Sequence, residues 1–221
     1  MTNSALLILT LVAGQSAVAA EKTAHDSSRW ESAVTRFEQQ DTQQAPPQHA
    51  ILFVGSSSIR MWDLPKYFPD RRVINRGFGG SQMADVVNFA QRIVIKHRPR
   101  VVVVYSGDND VAAGKSAEEV HDDFLALVEK VRTALPETKI VCIAIKPSIA
   151  RWQLRETMRA ANGLISDTCA EEDLLEFVDV WPAMLDAQGL PRRDLFLDDG
   201  LHMNHEGYAI WADLVRDHLD E

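Results

Sequence analysis

Hydrophobic positions in this chain come in two kinds of run that alternate from end to end. Short apolar runs occur at Ala50–Val54, Val73–Asn75, Val101–Tyr105, Lys139–Ile145 and Leu175–Val180. Val101–Tyr105 is uninterrupted and β-branched up to its final aromatic, the mark of a strand buried on both faces. Between these runs apolar residues recur every three or four positions, as Met83, Val86, Val87, Ala90, Ile93 and Val94 do in the stretch Gln82–His97. Val120, Phe124, Leu127, Val128 and Val131 repeat the pattern after Ser116, which with Glu119 forms a capping box for a helix to about Leu135. Further helices are expected over Arg151–Ala170 and Glu206–Leu219, and an early one from Ser27 or Ser28 to about Gln40, with Trp30, Val34 and Phe37 on one face. Ile59–Phe68 reads as a helix or turn, and Asp41–Gln48, Ser106–Gly114 and most of Trp181–Asp198 as loops.

Strand and helix in alternation, with strands that do not alternate polar and apolar residues, predict an α/β fold. The expected architecture is a five-stranded parallel sheet with helices on both faces, a three-layer α/β/α sandwich with right-handed crossovers. Every strand-to-helix loop then opens at one edge of the sheet, where open α/β sheets take their ligands.

The N-terminus has a different pattern. Ala5–Gly14 is apolar but too short to span a bilayer, and Ala17-Val18-Ala19 supplies the small residues of a cleavage site. Residues 1–19 are read as a signal peptide cut near Ala19 or Ala20, although Met1–Ser4 offers only the α-amine as positive charge. The expected organisation is residues 1–19 as signal, 20–48 as an N-terminal segment with one helix, and 49–221 as the main domain. A secreted or periplasmic location follows, with no stable membrane insertion after cleavage, since no later apolar run is long enough. Composition is that of a soluble globular protein, 46% hydrophobic and 25% charged. A net charge of −9 with no long basic run argues against nucleic acid as a partner. Cys142 and Cys169 lie in apolar strand and helix patterns and are expected to be buried free thiols.

Four loops at the predicted ligand edge carry reactive or hydrogen-bonding residues: Gly55–Ser58, Asn75–Ser81 (NRGFGGS), Gly107–Asp110 (GDND) and Asp199–His202 (DGLH). The glycine-rich loop is no nucleotide signature, because GxGxxG and a P-loop Lys are missing. Serines after a glycine also cap helices, glycines also shape turns, and a single His is often structural. Jointly at one edge, these residues suit acyl transfer. A serine among Ser56, Ser57 and Ser58 needs a base, and His202 with Asp199 three residues before it can act as one. The backbone N–H groups of Ser57 and Gly80 and the amide of Asn109 can stabilise the tetrahedral oxyanion.

These blocks, FVGSSSI (Phe53–Ile59), NRGFGG (Asn75–Gly80), GDND and DGLH, resemble those of the SGNH hydrolases, the GDSL esterase/lipase family. The likeness runs from about His49 to Leu219, and extends to bacterial relatives of the platelet-activating-factor acetylhydrolase catalytic subunit. It implies a flavodoxin-like sandwich, no cofactor and no metal. It also implies Ser57 as nucleophile, Gly80 and Asn109 as oxyanion donors, His202 as base and Asp199 as its partner. One residue departs: the family usually has Asp before the nucleophile, and Ser56 stands there, able to accept from backbone N–H but without charge.

The implied activity is that of a serine esterase cleaving short-acyl esters through an acyl-enzyme. A lysophospholipase or thioesterase of the same family, or an inactive ligand-binding protein on the same fold, is the alternative. Substrates would be small-molecule esters or, given the extracytoplasmic location, acetylated glycans. Arg60, Trp62, Arg151 and Trp152 are candidates for the substrate pocket, and Lys146–Ser148 follow the fourth strand on the same edge. Asp108 and Asp110 are candidates to orient the glycine-rich loop, His205 is read as a helix-start residue, and Trp181-Pro182 with Leu185 as packing over the sheet.

Overall fold

The computed structural model describes residues 25–220 of the chain, so the expected signal peptide lies outside the described residues. Five parallel strands, β1 (Ile51–Gly55), β2 (Val73–Gly77), β3 (Val101–Tyr105), β4 (Lys139–Ile143) and β5 (Leu175–Val178), lie in the order β2-β1-β3-β4-β5. This is the doubly wound order whose switch point falls between β1 and β3, and it bears out the expected α/β sandwich. The helices are α1 (Glu31–Gln43), α2 (Ser57–Arg60), α3 (Leu64–Tyr67), α4 (Met83–Ile93), α5 (Asp108–Ala112), α6 (Ala117–Ala134), α7 (Arg155–Glu171), α8 (Trp181–Met184) and α9 (His205–Arg216).

Every residue of β1 and β3 is buried, and successive side chains enter opposite layers. Ile51, Phe53, Val101, Val103 and Tyr105 join Trp211 and Val215 of α9 on one face. Leu52, Val54, Val102 and Val104 join Val34 of α1 and the apolar stripes of α4 and α6 on the other. Ser116 and Glu119 form the expected capping box on α6. Cys142 and Cys169 are free and buried, and burial pushes both thiols up, Cys169 to about 11.

Several boundaries differ from the sequence expectation, for local reasons. β2 runs on to Gly77 because β1 offers it a partner along its whole length, Gly55 facing Gly77. The expected loop at 106–114 contains α5, too short to show a hydrophobic period, starting after Gly107 at φ 114°. α4 ends at Ile93, and a 3-10 turn over Ile95–His97 leads into Arg98 at φ 48°. Residues 181–198 hold α8 and a 3-10 turn at Arg193–Leu195.

Trp62, expected as a pocket residue, is corrected to a core residue. It is only 2% exposed, stacks on Tyr208 at 5.7 Å and meets Phe53, Phe68 and Trp211 at ring edges or tilted. Its apolar bulk finds more contact below the serine loop than beside it.

α1 is held to the sandwich by Val34 and by charge. Glu31 and Glu38 receive the Arg92 guanidinium at 2.7–2.9 Å. Asp41 pairs with Arg76 of β2 and with Lys96 at 2.8 Å, and the His97 ring lies 3.6 Å away. Burial, with Arg76 nearby, pushes the His97 ring down to about 4 from its ordinary 6.5. Between those values the unfolded chain takes up a proton that the folded one refuses. The resulting contribution to stability is complete above pH 6.5 and is lost as pH falls toward 4. From pH 7 to 4.5 the urea midpoint should therefore drop, by an amount worth up to about 3 kcal/mol from this site. His97→Gln, which cannot take the proton, should flatten that part of the profile; an unchanged slope would refute the assignment.

Candidate active site

The site forms where the carboxyl ends of β1, β2 and β3 meet. Gly55 ends β1 at φ 140°, and a Cβ there would sit 1.8 Å from the Tyr105 carbonyl oxygen, so no other residue fits. The Ser56 N–H donates to that carbonyl at 3.1 Å, and the Ser56 carbonyl accepts from Ile59 and Arg60, each at 3.1 Å. This turn places Ser57 as the first residue of α2, half-buried at the mouth. Ser58 is buried, and its carbonyl accepts from the Tyr208 hydroxyl at 2.9 Å. The Ser56 hydroxyl is fully buried and has no hydrogen-bond partner among the described residues, which corrects the expectation that it would accept from backbone N–H. Backbone bonds alone hold that residue.

Ser57 Oγ lies 3.1 Å from His202 Nε2, and His202 Nδ1 lies 2.6 Å from Asp199 Oδ2. The other Asp199 oxygen accepts from the backbone N–H groups of Leu201 and His202 at 2.9 Å each. Together the His202 ring and these N–H groups pull the Asp199 carboxyl down to about 2. Asp199 is therefore ionised at any pH where acyl transfer is useful, and its bond to Nδ1 leaves Nε2 as the acceptor facing the serine. The loop is positioned at its far end by α9, where Asn204 caps the N–H groups of Glu206 and Gly207. His205 begins that helix, as expected, and pairs with Glu206 at 2.8 Å.

Three N–H donors surround Ser57. Its own N–H, at the first position of α2, and that of Gly80 have no acceptor among the described residues. Asn109, on the first turn of α5, gives one amide hydrogen to the Ser81 carbonyl at 2.9 Å and keeps the second. Its Oδ1 accepts from Arg151 Nη2 at 3.0 Å, and a guanidinium only donates, so this bond fixes which way the amide points. Arg151 itself lies 3.1 Å from Asp108 Oδ2, and Lys146, only 1% exposed, reaches the same oxygen at 3.4 Å and the Tyr105 hydroxyl at 3.2 Å. Burial pulls the Lys146 ammonium down, while Asp108 opposes that. Asp110, fully buried, accepts the Met83 N–H at 3.1 Å and pairs with Lys115 at 2.8 Å, holding α4 at the exit of the glycine-rich loop. Of the two aspartates, Asp110 thus orients that loop and Asp108 serves Arg151 and Lys146.

A cleft of about 820 Å³ opens over these groups, lined by Ser57, Gly80, Asn109 and His202. Arg60 and Arg151, the candidates for the substrate pocket, lie in its lining. Trp152 is not among its lining residues and packs on Trp181 at 6.0 Å instead. Trp181 donates from its indole to the Ile145 carbonyl at 2.7 Å, covering the sheet as expected. A whole wall of the cleft carries no signal in the sequence: Arg29, Trp30, Ala33, Arg36 and Phe37 reach it from α1 and the turn before it. Trp30 stands 3.3 Å from where a side chain on Gly80 would begin, and meets the Phe78 ring at 5.8 Å. In the sequence Trp30 and Phe37 show only as an apolar helix face.

A serine, an imidazole and a carboxylate in hydrogen-bonded series, with free N–H donors beside the serine, can activate a hydroxyl and stabilise an oxyanion. On a doubly wound parallel sheet this defines an acyl-transfer hydrolase class. The chain belongs to the GDSL-like Lipase/Acylhydrolase family, whose model matches residues 62–210, and it is an acylhydrolase of that family. The matched stretch begins after Ser57, so the serine turn rests on its own geometry. The chain is 28% identical over 193 residues to platelet-activating factor acetylhydrolase IB subunit alpha1 of Bos taurus, covering 82% of this chain and 78% of that one. The fold is shared with a Streptococcus pneumonia protein provisionally described as a platelet activating factor, with a TM-score of 0.78, 19% identity, and 87% and 94% of the two chains covered. It is also shared with an acetyl-xylooligosaccharide esterase from Geobacillus Stearmophilus, with a TM-score of 0.64, 19% identity, and 80% and 96% covered.

Among the described residues, Asp108 is the only carboxylate that forms an ion pair with the buried Lys146 and the half-buried Arg151. Asp108→Ala should leave both uncompensated and cost about 3–5 kcal/mol in urea unfolding. A loss below about 1 kcal/mol would mean that the cluster is solvated rather than paired.

Proposed function

We propose that this acylhydrolase cleaves short-acyl carboxylic esters through an acyl-enzyme on Ser57. The observation that carries this is the series Ser57–His202–Asp199, 3.1 Å and 2.6 Å, opening into a cleft with unpaired N–H donors. His202 Nε2 takes the Ser57 proton as Oγ attacks the carbonyl carbon. The oxyanion is received by the N–H groups of Ser57 and Gly80 and by the free amide hydrogen of Asn109. The tetrahedral adduct collapses as His202 returns the proton to the departing alcohol. Water, deprotonated by the same ring, then releases the acid and restores Ser57. Asp199 stabilises the imidazolium in both halves, and Arg151 keeps the Asn109 amide turned to the oxygen.

Acetylated glycans belong among the substrates to be tried, because export is expected from residues 1–19 and an acetyl-xylooligosaccharide esterase shares the fold. We also propose that the mature protein is secreted or periplasmic, beginning near residue 20; N-terminal sequencing of exported material checks this.

Turnover of p-nitrophenyl acetate should fall by about 10³-fold or more in Ser57→Ala, and by about 10²–10⁴-fold in kcat in Asp199→Asn with little change in KM. A fluorophosphonate probe should label Ser57 in a peptide map. Labelling at Ser56 or Ser58 would move the nucleophile, and no turnover with no labelling would overturn the enzyme mechanism in favour of a binding role.

A further inference from the structure

The cleft over Ser57 has the opposite charge from the chain that builds it. Acidic residues outnumber basic ones 32 to 23, for a net charge of −9. Yet Arg29, Arg36, Arg60 and Arg151 line this cleft, and among the described residues no aspartate or glutamate does. Arg151 is engaged with Asp108 and Asn109. Arg29 lies over the Trp30 ring at 4.7 Å and reaches the Gly80 carbonyl at 3.3 Å. Arg36 and Arg60 are exposed in the cleft, and their guanidinium groups have neither a hydrogen bond nor an ion pair with any described residue.

The distribution follows from how α1 sorts its charges. All three of its acidic residues face other cations, Glu31 and Glu38 toward Arg92 and Asp41 toward Arg76 and Lys96. That leaves Arg36 without a counter-charge, seven positions after Arg29 and four before Gln40, so the three share the cleft-facing side. From the opposite wall, Arg60 Nε comes within 2.8 Å of the point where a side chain on Gly79 would begin, next to the Gly80 donor. Solvated arginines on an acidic protein are normally scattered among carboxylates. Here they converge on one concavity, where low-dielectric walls concentrate the field and favour an anion. Guanidinium forks match the planar oxygens of a carboxylate or the face of a phosphate.

We propose that the site selects esters bearing an anionic group, a carboxylate or a phosphate, away from the reacting carbonyl, with Arg36 and Arg60 binding that group. This deepens the esterase reading and rests on it for the reaction, though not for the anion site itself. The neutral groups lining the cleft, Trp30, Phe37 and Phe78, leave the rest of the substrate an apolar bed.

Three acetyl esters on one phenol scaffold test it: methyl 4-acetoxybenzoate, 4-acetoxybenzoate and 4-acetoxyphenyl phosphate, each rate normalised to its hydroxide-catalysed rate. At low ionic strength kcat/KM should favour at least one anionic ester over the neutral one by about tenfold, through KM, and the gap should close as salt rises to about 0.5 M. Which anionic ester leads identifies the preferred group. Arg36→Gln and Arg60→Gln should each cut the anionic-to-neutral ratio by about threefold or more. Arg72→Gln, exposed outside the cleft, removes the same charge and should leave the ratio intact. No anionic preference, or a preference that survives both cleft variants, overturns the proposal while leaving the esterase reading standing. Should none of the three esters turn over, the esterase reading fails separately. Calorimetric titration with 4-hydroxybenzoate and 4-hydroxyphenyl phosphate then decides the anion site. Binding that is lost in the Arg36→Gln, Arg60→Gln double variant supports it, and no binding at millimolar concentration refutes it.

Discussion

The crossing of Gly55 over the Tyr105 carbonyl is the constraint on which the site depends. One carbonyl oxygen, at the end of β3, receives the N–H of Ser56 at 3.1 Å. The Gly55 carbonyl in turn accepts from Phe78 at 2.9 Å and from the Ser81 hydroxyl at 3.3 Å. Three loops that belong to three different strands are thus tied within one peptide unit of each other. The parallel register makes the crossing possible, since Gly55 faces Gly77 on one side and Tyr105 on the other. Backbone bonds of this kind are short-ranged and directional, so they set the serine, the glycine-rich loop and the start of α5 in one geometry before any side chain contributes. This is also why Ser56 in place of the family's aspartate leaves the turn ordered. Its hydroxyl contributes nothing, while its own N–H and carbonyl make three bonds.

Side chains then refine what the backbone has placed, and the cost of doing so is concentrated below the cleft. Asp108 answers two cations, and the Lys146 ammonium is taken almost wholly out of water. Such a cluster adds little to stability compared with apolar packing, but its members are demanding about geometry. The demand is transmitted upward through one contact, Arg151 to Asn109 Oδ1 at 3.0 Å, which sets the direction of the amide's donors. Preorganised donors of that sort act on charge as it develops, without reorganising when it does. A Lys or neutral residue at position 151 would lack the planar fork that spans Asp108 and Asn109 together.

How much of this the sequence disclosed depended on whether a residue's role is local. The five strands, the capping box of α6 and the pair Asp199–His202 are set within a few positions of the chain, and each had a visible pattern. α5 was hidden because five residues cannot display a helical period. Trp62 misled because its distance from Ser57 in sequence is short, while its direction was fixed by aromatic rings from β1, α9 and the α3 region. Arg151 was visible as a charge after a strand, but its partners Asp108 and Asn109 lie more than 40 positions earlier. The α1 wall was the largest omission. An amphipathic helix announces one buried face, and nothing in the pattern says that its flank borders a site assembled from residues 57 to 202.

That wall is attached differently from the rest of the site. Ser57 hangs on β1 and His202 on α9, both rooted in fully buried aromatic and aliphatic layers. α1 buries Val34 completely and leaves Ala33 and Phe37 only part-covered, as Trp30 is in the turn before it; ion pairs with Arg92, Arg76 and Lys96 tie it further. The part-exposed Arg92 pairs weaken with salt more than the largely buried Asp41–Arg76 pair, and the His97 ring beside Asp41 adds a charge to the cluster when it is protonated at low pH. Local stability should therefore be lowest in the element that carries Arg29, Arg36 and Trp30, and highest under the serine and histidine. The same helix would then lose its grip on the sandwich and its field over the cleft together, because the carboxylates that anchor it are the ones whose removal from the cleft side leaves its arginines unopposed.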